Sequence, residues 1–340
     1  MLAQVAGGDD RSKTSGYCKQ RQLLPRFYVG TNFQLLSDTL ILLTNSSLWV
    51  HLAAAGLFTV GLILTLQRNP RPAFGLEGMI PFGRMFFAIP LAIFGMQHFA
   101  LFDSVKFAVP AWMPGRFLWA YLVGAALILA CLSILTGIKA DLAALLVGIM
   151  LFLFVLMIYV PNLVENPRDR FAVTAPLRDL AFSGGALSLA STTAVPRRSH
   201  PVPWMTEVGR WFFGAPVTFF GVEHFLHPDF APGVPFPKLM PPWIPGHLFV
   251  AYAVGVVLIA CGLCILTNRA SRAAATWLGI VYFLLLLSIY IPMEVASPSI
   301  AISGELDYVA DTLGMSGAAL LVANAIGPKA ATSGVLKAIP

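Results

Sequence analysis

Charge is the feature that this sequence most lacks. Only 11% of its 340 residues are Asp, Glu, Lys or Arg, while 57% are hydrophobic. Soluble domains carry about 25% charged residues, so this chain has too few to cover a surface in water. Its apolar residues are gathered into runs close to the ~20 that a helix needs to cross hydrocarbon. The composition therefore predicts an all-α, polytopic membrane protein with the lipid bilayer as its surroundings.

Cysteine is scarce as well. Cys131, Cys261 and Cys264 fall within predicted membrane helices, where neither a disulfide framework nor a zinc finger is expected. Cys261 and Cys264 have the CxxC spacing, which places both sulfurs on one face of a helix. Redox pairs of this kind open a helix, whereas this pair lies mid-helix and the other half of the chain has Ala130 and Ser133 at those places. We interpret the pair as a packing element, with a redox role as the alternative.

Acidic residues are fewer than basic ones, and the net charge is +6. No basic stretch is interleaved with stacking aromatics, so nucleic acid is not an expected partner. The basic residues lie in short loops between apolar runs, where they set the orientation of a membrane protein. Taking Arg84, Arg210 and their flanking loops as inside places most loop arginines and lysines there. We expect a multi-pass protein of the bacterial inner (plasma) membrane with a cytoplasmic C-terminus.

A long internal repeat organises the chain. The stretch GRMFFAIPLAIFGMQHF at 83–99 returns as GRWFFGAPVTFFGVEHF at 209–225, identical at nine of seventeen positions and 126 residues later. The agreement continues through W-x-P-G at 112–115 and 243–246 and through the later apolar runs. A period this long indicates a tandem duplication of a helical unit. Four helices per unit make the two copies parallel repeats that enter the membrane from the same side.

These features divide the chain into five parts: a polar N-terminal tail at 1–46, an extra transmembrane helix at 47–67, a first four-helix unit at 83–194, a second at 209–326, and a C-terminal tail at 327–340. The first unit is predicted to have helices at 84–101, 117–136, 142–161 and 178–194. The second is predicted to have them at 210–226, 247–267, 273–292 and 308–326. With nine spans the N-terminal tail lies outside despite its basic residues, and its true side is left open.

The repeated unit resembles the DoxX-like family of bacterial integral membrane proteins. The resemblance rests on FG-x-x-HF followed by W-x-P-G, once per unit, and covers nearly all of 83–326. Family members are typically single four-helix units, and two fused copies with an extra helix depart from that. Some relatives are described as subunits of quinol oxidases or thiosulfate:quinone oxidoreductases, and most have no established activity. The resemblance implies an accessory or structural component linked to membrane redox metabolism, with other redox subunits as partners and quinone as the one cofactor to consider.

Polar residues within or beside the predicted spans are the candidates for function, because polar groups at such depth are costly and often functional. They are Gln97, His98, Asp103, Glu223, His224 and Asp229. In a functional interpretation, the two histidines would hydrogen-bond a quinone headgroup, relay protons or bind a metal. In the structural alternative, each histidine bonds a carbonyl or a tyrosine within its own bundle. The sequence leaves both open.

Glu223 is the acid expected deepest in hydrocarbon. It needs a neutralising partner there, and the sequence offers His224, His247 or Arg116. If the protein performs proton-linked chemistry, we expect Glu223 and His224 to carry it.

A metal site would require His224, His227 and Asp229 together. The first unit has Leu101 in place of His227, so the second unit alone could supply the trio, and no metal is expected.

Residues paired between the units also predict structure. Gly95 and Gly221, Gly124 and Gly255, and Gly148 and Gly279 are expected at close helix contacts. Tyr121 and Tyr252, and Tyr159 and Tyr290, are expected to anchor helix ends at the interface.

Three functions remain open. An accessory role is preferred to an enzymatic one, since no reaction is identifiable, and it would agree with a dry, tightly packed interface between the units. A quinone-binding redox subunit would retain a quinone. A small-solute transporter built from parallel repeats would have a water-filled path lined by His98, Glu223 and His224, with carbonyls freed by Pro90 and Pro216 nearby.

Overall fold

Long helices built from the apolar runs form the protein. The computed structural model describes residues 46–70, 75–193, 202–233, 237–301 and 304–327. All but the adjoining residue of each predicted tail, 1–46 and 327–340, lie outside these ranges. The nine long helices of the described residues are α1 (Ser46–Arg68), α2 (Leu76–Ala100), α3 (Arg116–Thr136), α4 (Ala140–Glu165), α5 (Arg170–Thr193), α6 (Pro203–Leu226), α7 (His247–Leu266), α8 (Ser271–Ala296) and α9 (Glu305–Ile326).

Seven of these helices are long and apolar enough to cross a membrane. The chain is therefore an all-α, polytopic membrane protein, as its composition predicts. The other two, α5 and α6, have 24 residues each but are more polar. That these two also cross the membrane stays a prediction.

Helices α5 and α6 begin about two turns before the predicted starts at 178 and 210. The predicted starts were wrong, because Asp169 caps α5 and Pro203 lies in the first turn of α6, so that both helices begin earlier in the chain. The Asp169 carboxylate accepts a hydrogen bond from the Phe171 backbone N–H at 3.1 Å, as a capping residue does. Pro203 occupies the first turn of α6, where its missing N–H costs nothing.

The repeated W-x-P-G motif ends in a turn that starts a helix. Gly115 precedes α3 and Gly246 precedes α7, and both have φ +66°. This left-handed conformation is accessible to glycine with little strain. The motif therefore sets the same entry angle for the second helix of each unit.

Helices α2 to α9 pack in a closed ring, in which the fourth helix of each unit contacts the first helix of the other unit. Neighbours in sequence contact one another from α2 to α5 and from α6 to α9. The ring closes because α5 packs against α6 and α9 packs against α2. Helices α5 and α9 also contact each other across the middle. The central α9 is accordingly 83% buried along its most apolar stretch, against 17% for the peripheral α1.

Glycines allow these closest approaches. A Cβ on Gly317 of α9 would lie 2.3 Å from the Phe87 backbone nitrogen of α2, and one on Gly184 of α5 would lie 2.6 Å from the Gly209 carbonyl oxygen of α6. Neither position has room for a side chain. The predicted close contact of Gly95 is confirmed, because its Cβ would lie 2.8 Å from the carbonyl oxygen of Gly124 on α3.

The other predicted glycine contacts are confirmed as well. A Cβ on Gly221 would lie 2.8 Å from the Gly255 carbonyl oxygen. Gly148 and Gly279 meet the leucines of the following central helices, at 3.2 Å from Leu187 and 2.6 Å from Leu320 respectively. The contacts of the first unit thus recur in the second, while the duplication itself stays a prediction.

Candidate functional site

Charged side chains lie buried where α5 meets α9. The Arg178 guanidinium donates from Nε to Asp179 Oδ1 at 2.9 Å and from Nη1 to Asp311 Oδ1 at 3.3 Å. The side chains are 16%, 6% and 2% exposed, respectively. Arg178 comes from α5 and Asp311 from α9, so this contact joins the two central helices. We name the set Arg178, Asp179, Asp311 and Tyr159 the Arg178 cluster.

Tyr159 enters the cluster from a distorted turn of α4. Residues Val155–Tyr159 form a π-helical turn, and Pro161 follows directly in the next helical segment. Such turns re-aim side chains and are frequent at functional sites. The Tyr159 hydroxyl accepts a hydrogen bond from Arg178 Nη2 at 3.2 Å. The predicted role as an interfacial anchor therefore does not describe Tyr159.

The equivalent tyrosine of the second unit is buried more deeply. Tyr290 ends the π-helical turn Leu286–Tyr290 and is 1% exposed. Its hydroxyl donates to the Pro232 carbonyl oxygen at 2.6 Å, so it fastens the loop after α6 onto the bundle. The prediction of an interfacial anchor was wrong for Tyr290, because the distorted turn directs it inward.

The charges of the Arg178 cluster do not cancel among the residues that the structure describes. Asp179 and Asp311 both contact Arg178, and these two carboxylates against one guanidinium leave one negative charge in excess within the cluster unless a proton neutralises it. Taking charges out of water costs several kcal/mol per ion even after relaxation. The cluster is thus a place where one proton has a large effect on the electrostatic energy.

Gln97 links α2 to the same central helix. It is buried, and its Nε2 donates to Asp307 Oδ1 and, at 3.1 Å, to the Ile300 carbonyl oxygen. Asp307 lies one turn before Asp311 on α9. This predicted site residue is therefore placed next to the Arg178 cluster and is engaged by protein groups.

Glu223 has a partner that the sequence analysis did not consider. Its Oε2 lies 3.1 Å from Arg170 Nη2 and 4.0 Å from His227 Nε2. None of the three predicted partners was right, because the early start of α5 brings Arg170 beside the end of α6. Among the described residues, the Arg170 N–H groups have no partner in strict hydrogen-bonding geometry, so its contact with Glu223 is chiefly between charges. The Phe230 ring covers the guanidinium at 4.6 Å.

Both repeated histidines bond carbonyls of their own helices. His98 Nδ1 lies 2.8 Å from the Phe94 carbonyl oxygen, and His224 Nδ1 lies 2.6 Å from that of Phe220. His224 Nε2 also accepts from the Gly233 N–H at 2.9 Å. These partners assign the proton of His224 to Nδ1 and occupy both of its nitrogens. This hydrogen bonding agrees with the structural alternative, in which each histidine bonds a carbonyl within its own bundle.

The remaining predicted site residues lie apart from the cluster. Asp103 is 91% exposed and pairs with Lys106 at 2.6 Å. Asp229 is exposed, as is His227. Within the described ranges, no three His, Cys, Asp or Glu side chains are placed to hold a metal ion. His224 in particular has no nitrogen left for one.

The CxxC pair lies in α7 as two free cysteines, Cys261 and Cys264, both half-buried. Between them, Gly262 lets α6 approach, because its Cβ would lie 3.0 Å from the Thr218 backbone nitrogen. This environment agrees with packing.

Comparison with known proteins adds no assignment. No family model, curated protein or solved structure matches this chain. Function has to be argued from the chain's own residues, and the DoxX-like resemblance remains an expectation.

The Arg178 cluster is not among the predicted site residues, although the sequence contains a signal for it. Matching the SGG of Ser183 to the SGA of Ser316 places Arg178 and Asp311 at the same position of the two units. Opposite charges at one repeat position predict contact when equivalent helices face each other. The equivalent helices α5 and α9 do face each other. A Cβ on Gly185 would lie 2.6 Å from the Cβ of Ala318, which is the equivalent residue of the second unit.

Proposed function

We propose that this protein is a DoxX-like accessory component of the plasma membrane, which supports a redox complex and performs no catalysis of its own. The observation that carries the proposal is the close packing of α5 on α9. At Gly185 and Ala318 the two backbones approach so closely that one additional methyl group cannot be accommodated. Interiors packed to this degree do not deform continuously, which suits a rigid scaffold.

The hydrogen bonding of the polar residues supports the same role. Gln97 and His224 bond protein groups, and Glu223 is paired with Arg170. Groups that are engaged in this way hold helices in register and are not free to handle a substrate. The scaffold would sit in a bacterial plasma membrane with Arg84 and Arg210 on the cytoplasmic side, and its partners would be the lipid bilayer and other redox subunits.

Respiration of a strain lacking the gene tests this proposal. We expect quinol-dependent oxygen uptake by its membranes to fall, and expression of the wild-type chain to restore it. His98→Ala, a change in one of the predicted functional polar residues, should restore it as fully. Unchanged oxygen uptake in the deletion strain would refute the redox role. Stoichiometric quinone in the purified protein, lost in His98→Ala, would favour a quinone-binding subunit instead.

A second candidate, a proton-linked transporter of small solutes, is favoured by the surplus carboxylate of the Arg178 cluster. Buried acids that exchange a proton are typical of proton relays in transporters. Proteoliposomes carrying a pH-sensitive dye test it. Proton uptake under an imposed potential that disappears in Asp311→Asn would favour transport. Equal leak rates for Asp311→Asn, wild type and protein-free vesicles would exclude it.

A further inference from the structure

The arginine that opens each repeat has different surroundings in the two units. Arg210, in the second unit, pairs with Glu207 and donates from Nη1 to the carbonyl oxygens of Ile265 and Leu266 at 2.6 and 2.8 Å. Its counterpart in the first unit, Arg84, forms no hydrogen bond or ion pair with any described residue. The position that corresponds to Glu207 is Pro81, so the first unit lacks the acid.

The extra helix explains why Arg84 lacks carbonyl partners as well. Arg68, at the end of α1, donates from Nη1 to the Leu135 carbonyl oxygen and from Nη2 to that of Thr136, both at 2.7 Å. These carbonyls end α3, as those of Ile265 and Leu266 end α7. Arg68 therefore occupies the place that Arg210 holds in the second unit. Arg84 is left half-buried, with its charge uncompensated by the described residues.

A cavity of about 270 Å³ lies beside these two arginines. Its polar lining comes from Thr65, Arg68, Asn69, Arg84 and Asn324, and none of the described residues that line it is acidic. The remaining wall is apolar and includes Ile80 and Leu321. The Thr65 hydroxyl donates its hydrogen to the Gly61 carbonyl oxygen at 2.8 Å, whereas Arg68 and Asn69 keep N–H groups beyond those that they give to backbone carbonyls. Two guanidinium groups and two amides around one space are donors suited to an oxyanion.

We propose that this cavity is a binding site for a phosphate group. Arginine presents N–H groups in a planar fork that matches phosphate oxygens, and Arg84 has its fork unoccupied by the described residues. A bound phosphate would neutralise the charge of Arg84 and reduce the repulsion between Arg84 and Arg68.

Two sources could supply the phosphate. The cavity lies at the end of α1 that the basic residues predict to be cytoplasmic, where basic pockets between membrane helices bind anionic lipid headgroups. A soluble phosphate could reach it from the same side. Both carry the phosphate oxygens that the lining would bind, whereas only the lipid has acyl chains and a phosphodiester.

The full-length protein, purified in detergent, allows both sources to be tested. The probes are dihexanoyl phosphatidylglycerol, dihexanoyl phosphatidylcholine and inorganic phosphate, with sodium chloride at matched ionic strength as the reference. We measure the melting temperature and the affinity by calorimetric titration. Phosphatidylglycerol binding identifies an anionic lipid headgroup, and binding of inorganic phosphate alone identifies a soluble ligand.

Three variants locate the site. Arg84→Gln should weaken binding about tenfold or more, the loss of a hydrogen bond to a charged group. Asn324→Ala should weaken it less. Arg269→Gln, an exposed arginine at the same end of the protein and outside the cavity, should bind like wild type.

The proposal is overturned if no phosphate-containing probe raises the melting temperature above the chloride reference. It is also overturned if Arg84→Gln binds as tightly as Arg269→Gln. If Arg84→Gln cannot be purified in folded form, an affinity of Asn324→Ala equal to that of wild type overturns it.

Discussion

At the scale of single residues, the protein uses one cation to hold two buried carboxylates. Arg178 contacts Asp179 beside it on α5 and Asp311 on α9. Breaking a buried ionic network by removing one partner is strongly destabilising, because the other charges stay buried without compensation. The contribution of Arg178 should therefore greatly exceed that of an exposed arginine.

Replacing Arg178 by Gln should lower the free energy of unfolding by about 3–5 kcal/mol. The nearby Arg168 is exposed, and Arg168→Gln should change it by less than about 0.5 kcal/mol. Unfolding of both variants in mixed micelles with SDS measures the difference. Equal stability of the two variants would show that the cluster does not hold the central helices together.

Glu223 offers a second comparison between a buried and an exposed acid. Glu223→Gln leaves the Arg170 guanidinium buried without its counter-charge and should cost about 3 kcal/mol. Asp103→Asn breaks an exposed pair with Lys106, a kind worth about 0–1 kcal/mol. The same unfolding assay compares them. A loss for Glu223→Gln no larger than that for Asp103→Asn would mean that Arg170 is neutralised in another way.

Contacts between single residues were also the feature that the sequence predicted least well. The positions of Gln97, His98 and Glu223 near one end of their helices follow from helix length, but their partners do not. Glu223 meets Arg170 because α5 starts early, and that start depends on the Asp169 cap. Partners of this kind depend on how helices dock, and a repeat alignment reveals only those, like Arg178 and Asp311, that lie at equivalent positions.

At the scale of helices, small residues decide which helices can meet. Gly317 of α9 lies against the backbone of Phe87 on α2, where a Cβ would be only 2.3 Å from nitrogen. In a membrane, where apolar surface alone does not drive helix association, such close packing is a main source of attraction. The glycine pairs could be predicted from sequence because each recurs in both units.

Gly317→Ala should destabilise the protein by about 1–3 kcal/mol or more, because the backbones must separate to admit the methyl group. Gly56→Ala, in the exposed helix α1, meets no atom within 4 Å and should be neutral or slightly stabilising through helix propensity. SDS unfolding and the yield of folded protein after detergent extraction measure both. A neutral Gly317→Ala would contradict the close packing of α2 on α9.

At the scale of the whole molecule, the two units do not pack as separate bundles. Each unit's fourth helix lies on the first helix of the other unit, so α5 and α9 belong to both halves. The sequence predicts the helices and their order, because apolar runs and the repeat determine them. It does not predict the exchange of partners, which depends on which surfaces α5 and α9 present to each other.

Orientation in the membrane is a property of the whole chain that labelling can measure. In a background without the native cysteines, Asp103→Cys and Arg269→Cys place exposed thiols at opposite ends of the helices. An impermeant maleimide added to intact cells should label Asp103→Cys, and should label Arg269→Cys only after permeabilisation. The reverse pattern would invert the predicted topology.

The central claim is that the two halves form a rigid scaffold that works without moving against each other. The double variant Gly83→Cys with Leu320→Cys, in the same cysteine-free background, tests this claim. A Cβ on Gly83 would lie 2.9 Å from the Cβ of Leu320, so a separation of about 1 Å between the helices gives the distance that a disulfide requires. Oxidation then cross-links α2 to α9 in isolated membranes of the complemented deletion strain. The account predicts that quinol-dependent oxygen uptake is equal in the cross-linked and reduced forms. Uptake that is lost on oxidation and regained on reduction would contradict it.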